Sequence, residues 1–304
     1  MKVLSLFDGI SCGMVALERA GIPVDRYVAY EIDESAITVS KANYPTIEQC
    51  GDVFCADFTQ YKGFDLLIGG SPCTYWSIAQ SADRRETTSS GMGFELFNQY
   101  VRALHESGCK YFLYENNKSM SKEIKQEITK ALGVEPIMIN SSLVSAQSRE
   151  RYYWTNIPDV TQPDNKHIHL IDVLVSEDFK PYRGGSLIRK KPNLRNKYDG
   201  MYMIGATNEQ CSIGCRVYDL RGKSKTICAN AGGGCAKAGL YWVDGEVKNL
   251  TVSGAEKLQT LPVGYTSAVK PEKGITHCGN GWTVDVIAHI LSGLKEVSHE
   301  TECN

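Results

Sequence analysis

The sequence predicts an α/β fold: an open, mostly parallel sheet of the nucleotide-binding kind, with a smaller irregular region inserted before the chain returns to it. Three observations carry this expectation. An apolar strand at residues 3–7 runs into a glycine turn, Asp8-Gly-Ile-Ser-Cys-Gly13, and then into a helix-forming stretch at 14–20. A second strand-like run at 26–32 carries an acid, Glu31, ~20 positions after the turn, the spacing at which a carboxylate meets ribose hydroxyls. A third apolar run, Leu66 to Ile68, is stopped by Gly69-Gly70, as a buried central strand is at the edge of its sheet.

Composition bounds the rest. The chain has 304 residues, 42% hydrophobic and 22% charged, enough for one large domain or a large and a small one. No apolar run approaches the ~20 residues of a membrane span, and no basic segment leads into a long apolar one at the N-terminus. A cytoplasmic protein without signal peptide or membrane contact is therefore expected. Eleven scattered cysteines, an odd count, predict free thiols in a reducing compartment. The net charge of −2 excludes polyanion binding by bulk electrostatics. Its distribution is uneven, however: between Arg183 and Lys225 stand ten Lys/Arg against three acids, a local +7 that leaves −9 elsewhere. Such a segment suits phosphate contacts or, equally, a solvated loop face.

In chain order, Gly9 and Gly13 allow close backbone approach to a ligand at a helix N-terminus. Residues 33–44 read as a helix, and a short third strand precedes Gly51-Asp-Val53, a second acid at the same edge. Two acids beside a glycine turn repel a pyrophosphate. They favour a ligand with a ribose, an amino group and a positive centre, such as S-adenosyl-L-methionine. The central strand follows, with Pro72 and Cys73 at its carboxyl end, where open α/β sheets place their chemistry. Proline fixes φ, so the thiol has little backbone freedom; it is either a nucleophile or a buried structural cysteine. Residues 77–93 form a polar loop over it. Phe94, Phe97, Val101 and Leu104 share one face of a helix, a strand at 110–115 delivers Glu115-Asn-Asn117 to the ligand side, and a helix at 121–132 and a strand near 134–144 follow. Arg149 and Arg151 precede the aromatic strand Tyr152-Tyr-Trp154 as ligand-holding guanidiniums or a structural ion pair. From 156 to 249 the alternation breaks down, predicting an irregular second domain. A short helix is expected at 250–259, and the stripe Val284, Ile287, Ile290, Leu291, Leu294 predicts a last helix packed on the first domain, with a frayed tail after 295. Cys211, Cys215, Cys228 and Cys235 lack the two-residue gap of structural zinc sites, so no metal is expected.

In order and spacing these residues resemble the cytosine-C5 DNA methyltransferases, and the first half is most similar to the catalytic domain of the animal de novo enzymes. The matching features are Leu6-Phe-Asp-Gly9, Val24-Asp-Arg-Tyr27, Glu31, Gly51-Asp-Val53, Gly69-Gly-Ser-Pro-Cys73, Glu115-Asn116, Arg149-x-Arg151-Tyr-x-Trp154, Leu250-Thr251, Glu256-x-Leu-Gln259 and Gly279-Asn280. The resemblance implies a class I, Rossmann-like S-adenosylmethionine-dependent fold, with a catalytic domain at 1–155, a target-recognition domain at 156–249 and a returning segment at 250–304. It also implies a compact microbial or phage-type enzyme, since the chain opens on the first strand. By resemblance Phe7 stacks on the adenine, Glu31 holds the ribose, Asp52 meets the adenine amino group and Asn280 supports the methionine end. Asp8, Gly9, Ile10, Gly13, Ile32, Val53, Pro72, Gly281 and Trp282 complete the cofactor set. The chain departs from the family pattern at Ser11-Cys12, at Asn117 (usually Val), at Lys248 (usually Arg), at Gly254 (usually Glu) and at Gly281 (usually Ser).

The implied chemistry has a clear need for these groups. Cytosine C5 is a poor nucleophile until a thiolate adds to C6, and Cys73 supplies that thiolate. By the resemblance, Glu115 donates to N3 and accepts from the exocyclic amine. Arg149 and Arg151 hold the cytosine carbonyl and nearby phosphates, and water removes the C5 proton. The target base must leave the duplex, so the 77–93 loop, beginning at Ser77, closes over it while Arg189, Lys190, Lys191 and Arg195 contact the DNA. The expected partners are double-stranded DNA and a cognate restriction endonuclease, with the chain a monomer or weak homodimer. Two alternatives stay open: methylation of transfer RNA by the same fold, and a non-catalytic DNA-binding paralogue.

Overall fold

The computed structural model describes residues 1–77, 84–189, 200–229 and 238–302. Contacts divide the chain into two compact units, Met1–Ile139 with Glu150–Gln162 and Ile287–Asn304, and Asn140–Arg149 with Pro163–Val286.

The first unit is built on β1 (Lys2–Leu6), α1 (Cys12–Arg19), β2 (Arg26–Tyr30), α2 (Glu34–Asn43), β3 (Glu48–Gln49), β4 (Leu66–Gly69), α3 (Met92–Ser107), β5 (Tyr111–Asn117), α4 (Lys122–Leu132), β6 (Ile137–Asn140) and β7 (Glu150–Thr155). Its seven strands lie in the order β3-β2-β1-β4-β5-β7-β6. The pairings from β3 across to β5 are parallel, and β7 runs antiparallel to β5. Leu66, Leu67 and Ile68 are wholly buried, which explains why β4 reads as an unbroken apolar run: helices cover both faces of a parallel sheet. Phe97, Tyr100 and Ala103 of α3 and Ile124, Ile128 and Leu132 of α4 supply part of that cover. Strand order reverses between β1 and β4, so the chain leaving β1 turns one way and the chain leaving β4 the other. A crevice opens between them at the carboxyl edge.

The second unit holds α5 (Leu170–Val173), β8 (Phe179–Pro181), β9 (Ile188–Arg189), β10 (Met203–Ala206), β11 (Arg216–Asp219), β12 (Leu240–Val243), β13 (Glu246–Leu250), α6 (Val252–Leu258), α7 (Pro271–Asn280) and the start of α8 (Val284–Glu302). The expected irregular domain instead contains a six-stranded sheet, β8-β13-β12-β11-β10-β9, around Ile204, Val217, Leu240 and Val247. Its strands have five residues at most, too short to show alternation, and β8 pairs with β13 across some seventy intervening positions. Helix α7 was also hidden, because Gly274 and Gly279 interrupt its pattern. Both are packing glycines: a Cβ on Gly274 would lie 2.6 Å from Thr266 Oγ1, and one on Gly279 2.5 Å from the Ala229 nitrogen. Because α6 packs on α7 and on β13, residues 250–286 group with the second unit rather than with the returning segment expected at 250–304. The stripe Val284, Ile287, Ile290, Leu291 and Leu294 is buried as its spacing predicts. Helix α8 runs on to Glu302, past the fraying expected after Lys295, since its polar residues are adequate helix formers. Among the described residues no helix is long and apolar enough to cross a membrane.

One carboxylate ties the second unit's helical and sheet parts together. Asp178 accepts from Lys257 Nζ at 2.6 Å, Ser253 Oγ at 2.8 Å and the Val175 nitrogen at 2.9 Å. Burial pushes its carboxyl up, but Lys257, the Val175 N–H and Ser253 outweigh burial and leave it below the usual range. A depressed folded pKa stabilises above the unfolded value of about 3.9 and ceases to do so as pH falls through the folded one. Replacing Asp178 by Asn is therefore expected to cost about 2 kcal/mol at pH 7. In urea unfolding the gap from the parent should close as the pH is lowered below about 4.

Candidate active site

At the crevice the chain leaves β1 through a strained turn. Phe7, Gly9 and Ser11 all have positive φ, at 57°, 59° and 60°, a region that a bulky residue such as Phe7 rarely enters. The strain is held by Asp8, whose carboxylate accepts from Ser5 Oγ at 2.6 Å, Ser11 Oγ at 2.5 Å and Tyr27 Oη at 2.7 Å. Burial pushes this carboxyl up despite its three donors, and the nearby charge of Glu31 adds to the rise. Asp8 is thus an internal strut of the turn.

Glu31, just past β2, closes the turn from the other side. Its Oε2 accepts from the Gly9 nitrogen, and its Oε1 from the Ile32 and Asp33 nitrogens, each at 2.8 Å. Asp52 caps a short 3-10 turn (Val53–Cys55) by accepting from the Phe54 nitrogen at 2.9 Å, while Val53, Ile10 and Gly13 are buried. Ile32 is 70% exposed beside Glu31, and Phe54 is 47% exposed beside Val53. No Lys or Arg lies in residues 7–13, 31–35 or 51–54. Two acids and two exposed apolar side chains suit the ribose and adenine of S-adenosylmethionine better than a pyrophosphate. The Arg102 guanidinium that reaches this edge is engaged by the Val53 and Ala56 carbonyls.

The other lip of the crevice is the turn after β4, and it is pressed against the end of β5. A Cβ on Gly69 would lie 2.6 Å from the Leu6 oxygen, and one on Gly70 2.7 Å from the Glu115 oxygen. Asn116 Nδ2 donates to the Ser71 oxygen at 3.1 Å, immediately ahead of Pro72 and of a 3-10 turn formed by Cys73–Tyr75. Glu115 is buried, and its Oε1 stands 3.0 Å from Arg151 Nε. In the β5–β7 register Asn117 faces Arg151 and Glu115 faces Tyr153, so this ion pair is the diagonal neighbour across the ladder.

Of the two sequence-predicted arginines, Arg151 is the one paired with Glu115. Arg149 belongs to the second unit, buried, with its guanidinium on the carbonyls of Ile227 (3.4 Å), Gly279 (3.2 Å) and Gly281 (3.0 Å). It shapes the turn that carries Asn280, Gly281 and Trp282. Gln147 and Gln259 assist it: Gln147 Nε2 donates to Gln259 Oε1 at 3.0 Å, and Gln259 Nε2 to the Cys278 and Gly281 oxygens. Ser77 ends the described stretch after the thiol turn, and Arg189, exposed on β9, lies over the Trp242 ring at 5.6 Å. Lys190, Lys191 and Arg195 lie outside the described residues.

Sequence reasoning missed Glu86, which holds the loop's far end. Its carboxylate accepts from Trp76 Nε1 at 3.3 Å and from the Gly93 nitrogen at 3.1 Å, and its own nitrogen donates to Tyr75 O at 2.8 Å. An acid shortly before a helix start was the one available signal.

Comparison with known proteins follows the same lines. A family model described as C-5 cytosine-specific DNA methylase matches residues 1–296. The orphan methyltransferase M.SPRI of Bacillus phage SPR is 32% identical over 165 residues, which are 50% of this chain and 37% of that protein. The type II methyltransferase M.NgoPII of Neisseria gonorrhoeae is 34% identical over 122 residues, 40% of this chain and 34% of its own length. The matched chain therefore spans well under half of these relatives. Among solved structures, a DNA modification methyltransferase from an E. coli prophage aligns with a TM-score of 0.69 at 19% identity, over 98% of this chain and 99% of that one. The S. pombe Dnmt2 methyltransferase aligns equally well at 16% identity, over 98% and 99%. The Entamoeba histolytica methyltransferase EhMeth reaches 0.72 at 14% identity, over 98% of each chain. At such identities the likeness shows a shared fold.

Two substitutions test the geometry. Arg151→Met leaves a buried carboxylate without its counter-charge and is expected to cost on the order of 3 kcal/mol in urea unfolding. Gly70→Ala drives a methyl group into backbone, and a loss of about 1–3 kcal/mol is expected by the same measurement.

Proposed function

The chain belongs to the C-5 cytosine-specific DNA methylase family, whose model spans residues 1–296, and from that premise we propose that it methylates carbon 5 of cytosine in double-stranded DNA. The observation that carries this reading is the close approach of Gly70 and Ser71, the residues leading into Pro72 and Cys73, to Glu115 and Asn116. One carboxylate oxygen of Glu115 is engaged by Arg151. The other lies beside Gly70, where a Cβ would be 3.2 Å from Oε2.

Cys73 is the nucleophile. Its thiolate adds to C6 of the cytosine, breaking the C5–C6 double bond and raising electron density at C5. The charge that develops on the ring is met by a proton shared between Glu115 and N3, while Arg151 holds Glu115 in place and is available to the ring carbonyl. S-adenosylmethionine, when bound, supplies an electrophilic methyl group. Glu31, Asp52, Phe7 and Ile32 would bind and orient its nucleoside part. Water then removes the C5 proton and the thiolate is expelled, restoring the aromatic ring.

A stacked base hides both C5 and C6, so the cytosine is flipped from the duplex. The basic excess of residues 183–225, with Arg189 exposed on its edge strand, supports phosphate contact, which positions the enzyme without specifying sequence. Relatives named type II methyltransferases support a pairing with a cognate endonuclease.

The decisive measurement is transfer of labelled methyl from S-adenosylmethionine to mixed-sequence duplex DNA, with transfer RNA as competitor and Cys73→Ala as control. Label recovered as 5-methylcytosine in DNA and lost by at least about a thousandfold in the variant is the expected outcome. Label in transfer RNA alone would move the substrate to RNA, and equal transfer by the variant would remove Cys73 from the reaction.

A further inference from the structure

Tyr114, one residue before Glu115, is wholly buried, its ring packed against Phe97, Tyr100 and Trp154 at centroid distances of 5.2, 4.8 and 5.8 Å. For that packing a phenylalanine would serve. A buried hydroxyl costs stability unless it is fully hydrogen-bonded, so its partners say what it is there for. Tyr114 Oη lies 2.6 Å from Ser71 Oγ and accepts from Asn116 Nδ2 at 3.1 Å, and Ser71 and Asn116 are themselves buried. The orientation of the Asn116 amide is fixed independently: its Oδ1 accepts from the Asn117 nitrogen at 2.8 Å, which turns Nδ2 toward Tyr114 and the Ser71 oxygen. Burial raises the phenol above its ordinary pKa, so it acts as a neutral hydroxyl.

We propose that Tyr114 is a positioning residue for the nucleophile: its hydroxyl and the Asn116 amide grip Ser71 by side chain and main chain, and so fix the turn that delivers Pro72 and Cys73. The inference rests on the reading of Cys73 as nucleophile. It names a contact that this chain makes through Ser71, outside the residues that touch substrate. An error of ~1 Å in placing a reacting group can cost ~100-fold in rate, whereas the loss of one hydroxyl leaves the aromatic packing in place.

The test compares Tyr114→Phe, Ser71→Ala and the double variant of the full chain. Three quantities are read: kcat and KM for methyl transfer, the dissociation constant for S-adenosylmethionine, and the rate of Cys73 alkylation by iodoacetamide across pH, followed by mass. Each single variant is expected to lose at least about tenfold in kcat, with cofactor affinity within about twofold. The pH profile of Cys73 alkylation should be displaced, and the double variant should be no slower than the singles, because both changes break one contact. A Tyr114→Phe enzyme with kcat and alkylation profile unchanged would overturn the proposal. So would losses that multiply in the double variant, or a fall in cofactor affinity matching the fall in rate. Alkylation is read without DNA or methyl transfer, so a parent protein that methylates nothing would sink the proposed reaction while leaving the placement of the thiol measurable.

Discussion

The candidate site depends on a close backbone approach at the end of β4. Gly69 leaves no room for a side chain against the Leu6 oxygen, and Gly70 none against the Glu115 oxygen. Only because those two residues lack a Cβ can the chain leaving the central strand lie on the end of β5. Ser71 then falls within reach of Tyr114 and Asn116, and Glu115 sits beside the thiol turn while keeping its ion pair with Arg151. The individual bonds are modest, on the order of 1 kcal/mol each. Geometry, more than energy, is what these residues supply, and a single methyl group at position 70 threatens all of it.

The same holds at the turn after β1. A phenylalanine at positive φ costs roughly 1–3 kcal/mol, and the three hydroxyl bonds of Asp8, at about 1 kcal/mol each, are sufficient to offset it. Glu31 adds its grip on the Gly9 nitrogen. The turn is thus rigid through its own internal bonds.

This explains what was legible in the sequence. The first strand, turn and helix, the buried run Leu66–Ile68 and the carboxyl-edge positions of Glu31, Cys73 and Glu115 all follow from local period and punctuation, which a chain carries openly. The resemblance put Asp8 in the cofactor set, and what local pattern could not show is that its carboxylate is bonded to Ser5, Ser11 and Tyr27. Arg149 and Arg151, two positions apart on one stretch, looked equivalent, yet their guanidiniums serve Gly279–Gly281 carbonyls and Glu115 respectively. The six-stranded sheet was missed because its strands are short and β8 joins β13 across some seventy positions, although Asp244-Gly245 between β12 and β13 was a local hairpin signal. Helix α7 was missed because two packing glycines interrupt its pattern. The motif resemblance bridged much of this gap, since it carries three-dimensional relations that periodicity does not.

Helix α8 has a consequence for how the protein is made. Its residues from Ile287 onward complete a unit whose other parts end at Gln162, and the fit is tight: a Cβ on Gly293 would strike the Pro158 oxygen at 2.5 Å, and His289 bonds Thr161 O at 2.9 Å. During synthesis the strands therefore emerge long before the helix that completes their unit. At ordinary ribosomal speed the delay between residues 162 and 287 is roughly 6 to 25 s. For that interval the nascent chain exposes apolar surface that has no partner yet, which makes it a natural client for holding chaperones.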